Sequence, residues 1–314
     1  MSTADQGIIY AISIGITLVI QLSGFAVAFA YQTEKFYDVL GGINYLILAA
    51  YSAAHRIDSG DDDNNDFWNN PRKVIMTVLF CVSRAWLLLF LAWRAHERKG
   101  DSRFDEVKSK FGLFLVYWIG QAFWVLLISM PMIFVNSSSS STTNFGDTVL
   151  DWIGTVGFGF SILIEIAGDI QKSVWVKAGR QGGFCTVGVW KYSRHPNYFG
   201  EIFQWWCAWL LAYGSASNGI GNGLWWSCIL SPLFTMNILL NTAGTGVWNA
   251  EGQSLKRYYD RYGETYQEYR TKTSILIPMV GYQYIPLWIK RVFLFEWTRF
   301  EYKPEMSEQA TDHV

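Results

Sequence analysis

Charge is what this 314-residue chain has least of. Only 16% of its residues are Asp, Glu, Lys or Arg, against about a quarter in an ordinary soluble domain. The net charge is −1 at pH 7, which gives no reason to expect a strongly basic surface or nucleic acid. Cysteine is scarce as well. Cys81, Cys185, Cys207 and Cys228 are scattered, form no Cys-x-x-Cys pair and have no histidine at metal-ligand spacing. Three of them sit inside apolar runs, so neither a disulfide framework nor a zinc site is expected. A strand–Gly-x-Gly-x-x-Gly–helix fingerprint is also missing, because Gly154, Gly157 and Gly159 lie within an apolar run. Dinucleotide binding of the Rossmann type is not supported.

What the chain has instead is apolar length: 51% of residues are hydrophobic and 17% aromatic. A helix needs roughly 20 mainly apolar residues to cross a bilayer. Runs of that kind occupy 8–31, 36–54, 74–93, 112–135, 149–170, 198–213 and 224–241. The first has no basic leader and is too long for a signal-peptide core. The pattern predicts an all-α, polytopic membrane helix bundle of about seven transmembrane helices. Basic residues follow the third run (Arg94, Arg98, Lys99, Arg103, Lys108, Lys110), the fifth (Lys172, Lys177, Arg180, Lys191, Arg194) and the seventh (Lys256, Arg257, Arg261, Arg270, Lys272). Segments 136–146 and 214–223 contain no Lys or Arg. The bias of basic loops toward the cytoplasm then puts the C-terminus inside and the N-terminus outside. An acidic loop (58–70) and a Ser/Thr run (137–143) fall on the opposite side, with a glycosylation sequon at Asn136-Ser137-Ser138 close to the membrane.

The chemistry concentrates around residues 179–209. Within eight residues stand a cation (Arg194), an imidazole (His195), an amide (Asn197), a phenol (Tyr198) and a carboxylate (Glu201). Pro196 suits the first turn of a helix, and Asn197 and Glu201, four apart, share one face of it. A carboxylate one turn into a membrane helix is costly unless it meets a cavity or partner, so such residues are functional candidates. The plainer reading is an interfacial anchor, with Arg and Tyr reaching the headgroups, but anchors seldom need Asn and Glu on one buried face. Upstream, Glu165 and Asp169 also share a face near the end of the fifth run; Asp169 paired with Lys172 would merely end the helix. Segment 249–278 is too polar to span, and Leu255, Tyr258, Tyr259 and Tyr262 give it amphipathic helical character. Its Arg and Tyr residues could close over an anionic cofactor, or it could be an interfacial helix with no ligand.

The run Lys191-Tyr192-Ser193-Arg194-His195-Pro196-Asn197-Tyr198-Phe199-Gly200-Glu201, its tryptophan-rich continuation and the Tyr/Arg segment ending Leu276-Ile277-Pro278 resemble the C-terminal part of steroid 5α-reductases. Within that group the chain looks most like the branch known as domain of unknown function 1295. Residues 94–104 are similar to a motif of that branch, with Lys99-Gly100-Asp101 where Gly-Glu-Asp is usual. The resemblance covers roughly residues 80–280. The Arg-His-Pro-Asn-Tyr run is also similar to sterol C14 and C7 double-bond reductases. It implies NADPH as cofactor, held by Asn197, Tyr198 and Glu201 from the Asn-x-x-Gly-Glu element. Arg194 and His195 carry over from the sterol reductase pattern, and Asp169 from an acidic position ending the preceding helix. The implied activity is reduction of a carbon–carbon double bond in a lipid or steroid-like enone reached from the bilayer. The carbonyl-gripping Glu and Tyr of the steroid enzymes have no match here, which leaves the catalytic residues and the proton donor open.

The expected organisation is an N-terminal transmembrane hairpin with the acidic loop (1–75), a reductase-like membrane domain (76–280) and a C-terminal tail (281–314). An endoplasmic-reticulum or other endomembrane location follows from the resemblance alone, since Thr311-Asp312-His313-Val314 is no retrieval signal. Two other readings stand beside the reductase. Membrane methyltransferases of the isoprenylcysteine and phospholipid type, which bind S-adenosylmethionine, share an Arg-His-Pro-x-Tyr-x-Gly run and a Glu- and Tyr-rich segment like 251–269. They tend to have Glu-Glu where this chain has Glu251-Gly252. A non-catalytic lipid-binding membrane protein is the third.

Overall fold

Apolar runs this long become helices because a segment in hydrocarbon must satisfy its backbone N–H and C=O groups internally. The computed structural model describes residues 3–55, 67–98, 104–138, 143–242 and 246–300. Most of the acidic loop, the Lys99-Gly100-Asp101 motif and the last residues of the chain lie outside the described residues. The helices come in chain order: α1 (Thr3–Ala30), α2 (Tyr37–Ala54), α3 (Pro71–Arg98), α4 (Phe111–Ser137), α5 (Val149–Lys177), α6 (Pro196–Ala212), α7 (Gly223–Ser227), α8 (Leu230–Asn241), α9 (Gly246–Lys272) and α10 (Leu287–Phe293). The described residues form no strand; a single parallel bridge joins Ser193 and Ser274.

Among the described residues five helical stretches are long and apolar enough to cross a membrane: Gln6–Ala30, Pro71–Glu97, Phe111–Ser137, Val149–Lys177 and Gly223–Trp248. Only 28–33% of each apolar window is buried within the chain. Val19, Leu89, Val116, Val156 and Leu163 are left largely exposed, and lipid is the solvent that suits them. The chain is a polytopic α-helical membrane protein. The two other expected spans are helices too, α2 with 18 residues and α6 with 17. They are shorter and carry buried polar positions such as Asn44 and Gln204.

The chain divides into two compact units. The first comprises Met1–Gly159 and Trp205–Phe234. Here α1 packs on α4 and α2, and α2 also on α3 and α4. Glycines leave room for large neighbours: a Cβ on Gly42 would fall 2.5 Å from the Leu88 side chain, and one on Gly24 2.5 Å from the Trp118 ring. Polar groups inside the bundle find one another. Gln21 donates to Asn44 (3.1 Å), and Asn44 to Thr17 (3.3 Å). The amide of Asn136 is buried and donates to Ser52 (2.9 Å) and Thr77 (3.0 Å), so the sequon asparagine has no room for a glycan in the folded chain. Arg84, fully buried in α3, lies over the rings of Trp205 (4.7 Å) and Tyr45 (5.5 Å) and donates to Ser83 (2.8 Å).

At one end of this unit Arg72 is buried in a bidentate pair with Asp151, at 2.8 and 3.0 Å. It also donates to the carbonyls of Thr143 (3.1 Å) and Asn144 (3.2 Å). Asp151 in turn accepts from the Thr148 hydroxyl (2.9 Å) and the Gly146 amide (3.1 Å). Removing one partner of such a pair strands a buried charge, which costs about 3 to 5 kcal/mol. Asp151→Asn is therefore expected to lower the unfolding temperature of the detergent-purified protein sharply. An unchanged melting curve would show that the pair is not holding this end together.

The second unit comprises Phe160–Gln204 and Thr235–Val314. It contains the C-terminal part of α5, the connection 178–195, the start of α6, and α9 with the segments beyond it. The amphipathic helix expected over 249–278 is α9, broken at Gly263 (φ 40°, ψ −112°). That left-handed φ is one glycine accepts most readily.

Candidate functional site

The site is built where α6 starts against the end of α5. A Cβ on Gly200 would fall 2.7 Å from the Ser161 carbonyl oxygen and 2.9 Å from Glu165, and one on Gly168 would fall 3.1 Å from the Asn197 nitrogen. These two glycines let the helices touch backbone to backbone, which brings their polar faces together. Gln204 donates to Glu201 (2.6 Å) and Glu165 (3.3 Å), linking two buried carboxylates through one amide. Asn197 donates through Nδ2 to Asp169 (3.1 Å), also buried. Lys172 instead lies over the rings of Trp190 (4.4 Å) and Trp175 (4.7 Å), so the pairing of Asp169 with Lys172 is not what ends the helix. Asn197 Oδ1 is buried and has no hydrogen-bond partner among the described residues.

The second half of the site is a charged network at the head of α6. The Ser193–Ser274 bridge and the bond from the Arg194 amide to the Ser274 carbonyl (2.8 Å) pin this connection to the segment after α9. Ser193 Oγ donates to the Leu276 carbonyl (2.7 Å) and accepts from the His195 amide (3.1 Å). Arg194, 4% exposed, donates to Glu251 (2.7 Å) and to the carboxylate of Glu296. His195 Nε2 meets the other Glu251 oxygen at 2.9 Å, and the imidazole stacks on Tyr198 with centroids 5.3 Å apart. Arg270 lies 3.8 Å from Glu251 and 3.5 Å from Glu296, and the Tyr282 hydroxyl donates to Glu296 (2.7 Å).

Two buried cations thus face two carboxylates, and their ionisation follows. Burial opposes the charge on Glu251, yet Arg194, the hydrogen bond to His195 and Arg270 outweigh it and hold the carboxyl down at about 2. Burial lowers His195 below its ordinary value despite Glu251. At neutral pH the pair is carboxylate and neutral imidazole, with His195 donating its Nε2–H. Burial, and then Glu251, pushes the Tyr266 phenol well up; burial and then Glu296 do the same to Tyr282. Beside this network Phe184 packs against Tyr266 (5.1 Å) and Tyr269 (5.0 Å), and the Tyr269 hydroxyl donates to the Trp190 carbonyl (2.8 Å).

The six residues singled out from the sequence fall into two groups in this unit. Asn197 and Asp169 bond directly, and Glu201 lies one turn on in the same seam. Arg194, His195 and Tyr198 belong to the charged network. Sequence reasoning missed Gln204, although a glutamine three residues beyond Glu201 was a visible signal on the same face. It also missed the roles of Glu251, Arg270, Tyr282 and Glu296. For Glu296 no local pattern points to a partner 102 residues away.

A buried seam of amides and carboxylates beside a compensated ion network, on helices of this apolarity, defines a polytopic membrane protein with a polar site in its C-terminal half. The chain belongs to the family described as Protein of unknown function (DUF1295), whose model matches residues 24–273. No curated protein and no solved structure matches it.

The network makes the fold acid-sensitive in a stated direction. Glu251 and His195 both bind protons less readily in the folded chain than in the unfolded one, so acid favours unfolding. The His195 contribution is lost as pH falls below about 6.5, and that of Glu251 as pH falls from about 4.3 to about 2. Melting curves across this range should show stability falling with pH, with a shallower fall at the acid end in Glu251→Gln. A variant with the wild-type acid slope would mean that the carboxyl is not held ionised.

Proposed function

We propose that this protein is an NADPH-dependent membrane reductase of a carbon–carbon double bond in a lipid or steroid-like enone. The observation that carries the reading is Asn197. Its nitrogen is tied to Asp169, which fixes the amide plane, and its oxygen is buried with no partner among the described residues. A buried acceptor left unpaired costs about 1 to 3 kcal/mol, and an N–H donor such as the carboxamide of a nicotinamide would satisfy it. When bound, NADPH supplies the hydride, while the protein contributes binding, orientation and electrostatics.

In this reading Asp169 orients Asn197, and Glu165, Gln204 and Glu201 form the polar floor of an otherwise apolar site. Tyr198 is a flat surface whose position is set by stacking on His195. Arg194 positions the loop rather than holding a phosphate, because Glu251 and Glu296 already take its charge. The bias of the basic loops supports a cytoplasmic C-terminus, where the cofactor is available, and the resemblance to steroid-reducing enzymes supports an endomembrane location. One observation favours a second reading: three buried carboxylates, Glu165, Asp169 and Glu201, suit a cationic ligand, and S-adenosylmethionine carries a sulfonium and an ammonium group.

Side-by-side binding of NADPH and S-adenosylmethionine to the detergent-purified protein separates the two. NADPH binding is expected, weakened at least about tenfold, or ~1.4 kcal/mol, in Asn197→Ala and in Glu201→Gln, with membrane insertion unchanged. Selective binding of S-adenosylmethionine would move the protein to the methyltransferases. If neither ligand bound in the presence of lipid, the non-catalytic reading would stand.

A further inference from the structure

The segment that delivers Glu296 to the network has a second face. Arg299 lies over the rings of Trp297 (4.2 Å), Phe300 (5.1 Å) and Trp248 (5.3 Å) and donates to the side-chain oxygen of Asn241. Asn241 and Trp248 both belong to the membrane-spanning stretch Gly223–Trp248. Around these groups opens a groove of about 560 Å³ lined by Asn241, Arg291, Trp297, Thr298 and Arg299. The hydrogen bond that Arg299 makes goes to a neutral amide, so among the described residues its charge is met by aromatic faces and no carboxylate. Just before the groove, α10 exposes Leu287, Trp288, Val292 and Phe293 and carries Lys290 and Arg291. Aromatic rings, exposed apolar side chains and cations at the end of a span are the composition of a membrane–water interface.

We propose that this groove binds the phosphate of an anionic phospholipid from the leaflet at this end of the Gly223–Trp248 stretch. Three observations commit it to lipid. The groove is continuous with a membrane-spanning stretch through Asn241 and Trp248. Its cations, Arg291 and Arg299, are guanidinium groups, whose planar forks fit phosphate oxygens. The neighbouring α10 presents apolar side chains where acyl chains would run. A soluble anion would use the charge and leave that apolar surface without a function. Arg299, held by Asn241 and stacked on Trp297, is the phosphate contact, with Thr298 beside it.

Native mass spectrometry of the full chain, released from vesicles of phosphatidylcholine with and without phosphatidylglycerol, tests this. Wild-type protein should retain phosphatidylglycerol over phosphatidylcholine by about tenfold, and Arg299→Gln should abolish the preference. Thr298→Glu leaves Arg299 in place but sets a carboxylate in the groove, and it should abolish the preference too, which keeps the test decisive if Arg299→Gln fails to fold. Retained preference in a folded Arg299→Gln, or no preference in the wild type, would overturn the site. Displacement of phosphatidylglycerol by inorganic phosphate would overturn the assignment to lipid. NADPH binding is read separately, so neither result depends on the other.

Discussion

A guanidinium cannot be buried alone, and the neutralisation of Arg194 organises much of the second unit. Its carboxylate partners come from α9 and from the segment beyond α10, and each also touches Arg270. Ion pairs of this kind contribute little net stability over an apolar replacement, but breaking one is costly. Their effect is therefore on geometry. With Arg194 bound to both Glu251 and Glu296, the loop before Pro196 has one position relative to α9, and the head of α6 inherits it. Ser193 and Ser274 add a backbone register to the same junction, so the direction in which Asn197 and Glu201 enter their helix is fixed from outside that helix.

The other fixed point is the contact of α6 with α5. In a membrane, helices gain little from burying apolar surface against each other, because lipid is equally apolar; close packing and interhelical hydrogen bonds decide instead. Gly168 and Gly200 supply the close packing. Gln204 and Asn197 supply the hydrogen bonds, each to an acid on α5. The seam is therefore polar because it is the part of the interface that specifies register.

How much of this was legible in the sequence depends on the range of the interaction. Helices are local, and long apolar runs led directly to α1, α3, α4 and α5. The weaker members, α2 and α6, were recognisable as helices, but their polar interior positions answer to partners elsewhere in the bundle. Asn197, Glu201, Glu165 and Asp169 could be chosen because four-residue spacing places each pair on one face. The bonds they make were hidden, since spacing within one helix says nothing about what faces it. Asn136 read as a sequon, and only its packing against Ser52 and Thr77 shows the amide to be interior. Arg84 stood plainly in an apolar run, whereas its seat over Trp205 depends on a contact spanning about 120 residues. Glu296 is the extreme case. It sits in a stretch that reads as tail, and its meaning arises wholly from Arg194, Arg270 and Tyr282.

The two halves of the site bear on ligand choice differently. Around Arg194 charges are already matched, so an incoming anion would have to compete with Glu251 and Glu296, each held by more than one donor. That part is poorly suited to capture and well suited to support. The seam of α5 and α6 has the opposite character: acids joined by amides, and an acceptor on Asn197 without a donor among the described residues. A ligand that completes it brings N–H groups, and phosphates must lie elsewhere. A nicotinamide ring inserted carboxamide-first meets that condition, because its phosphates are remote from its amide and can remain toward the solvent side of the connection 178–195. The same condition restricts the methyltransferase reading to poses that bring the ammonium group or the adenine amino group to Asn197. Under the proposed reading the selective group is the amide of Asn197, positioned by Asp169, while the arginine that dominates the motif acts as its foundation.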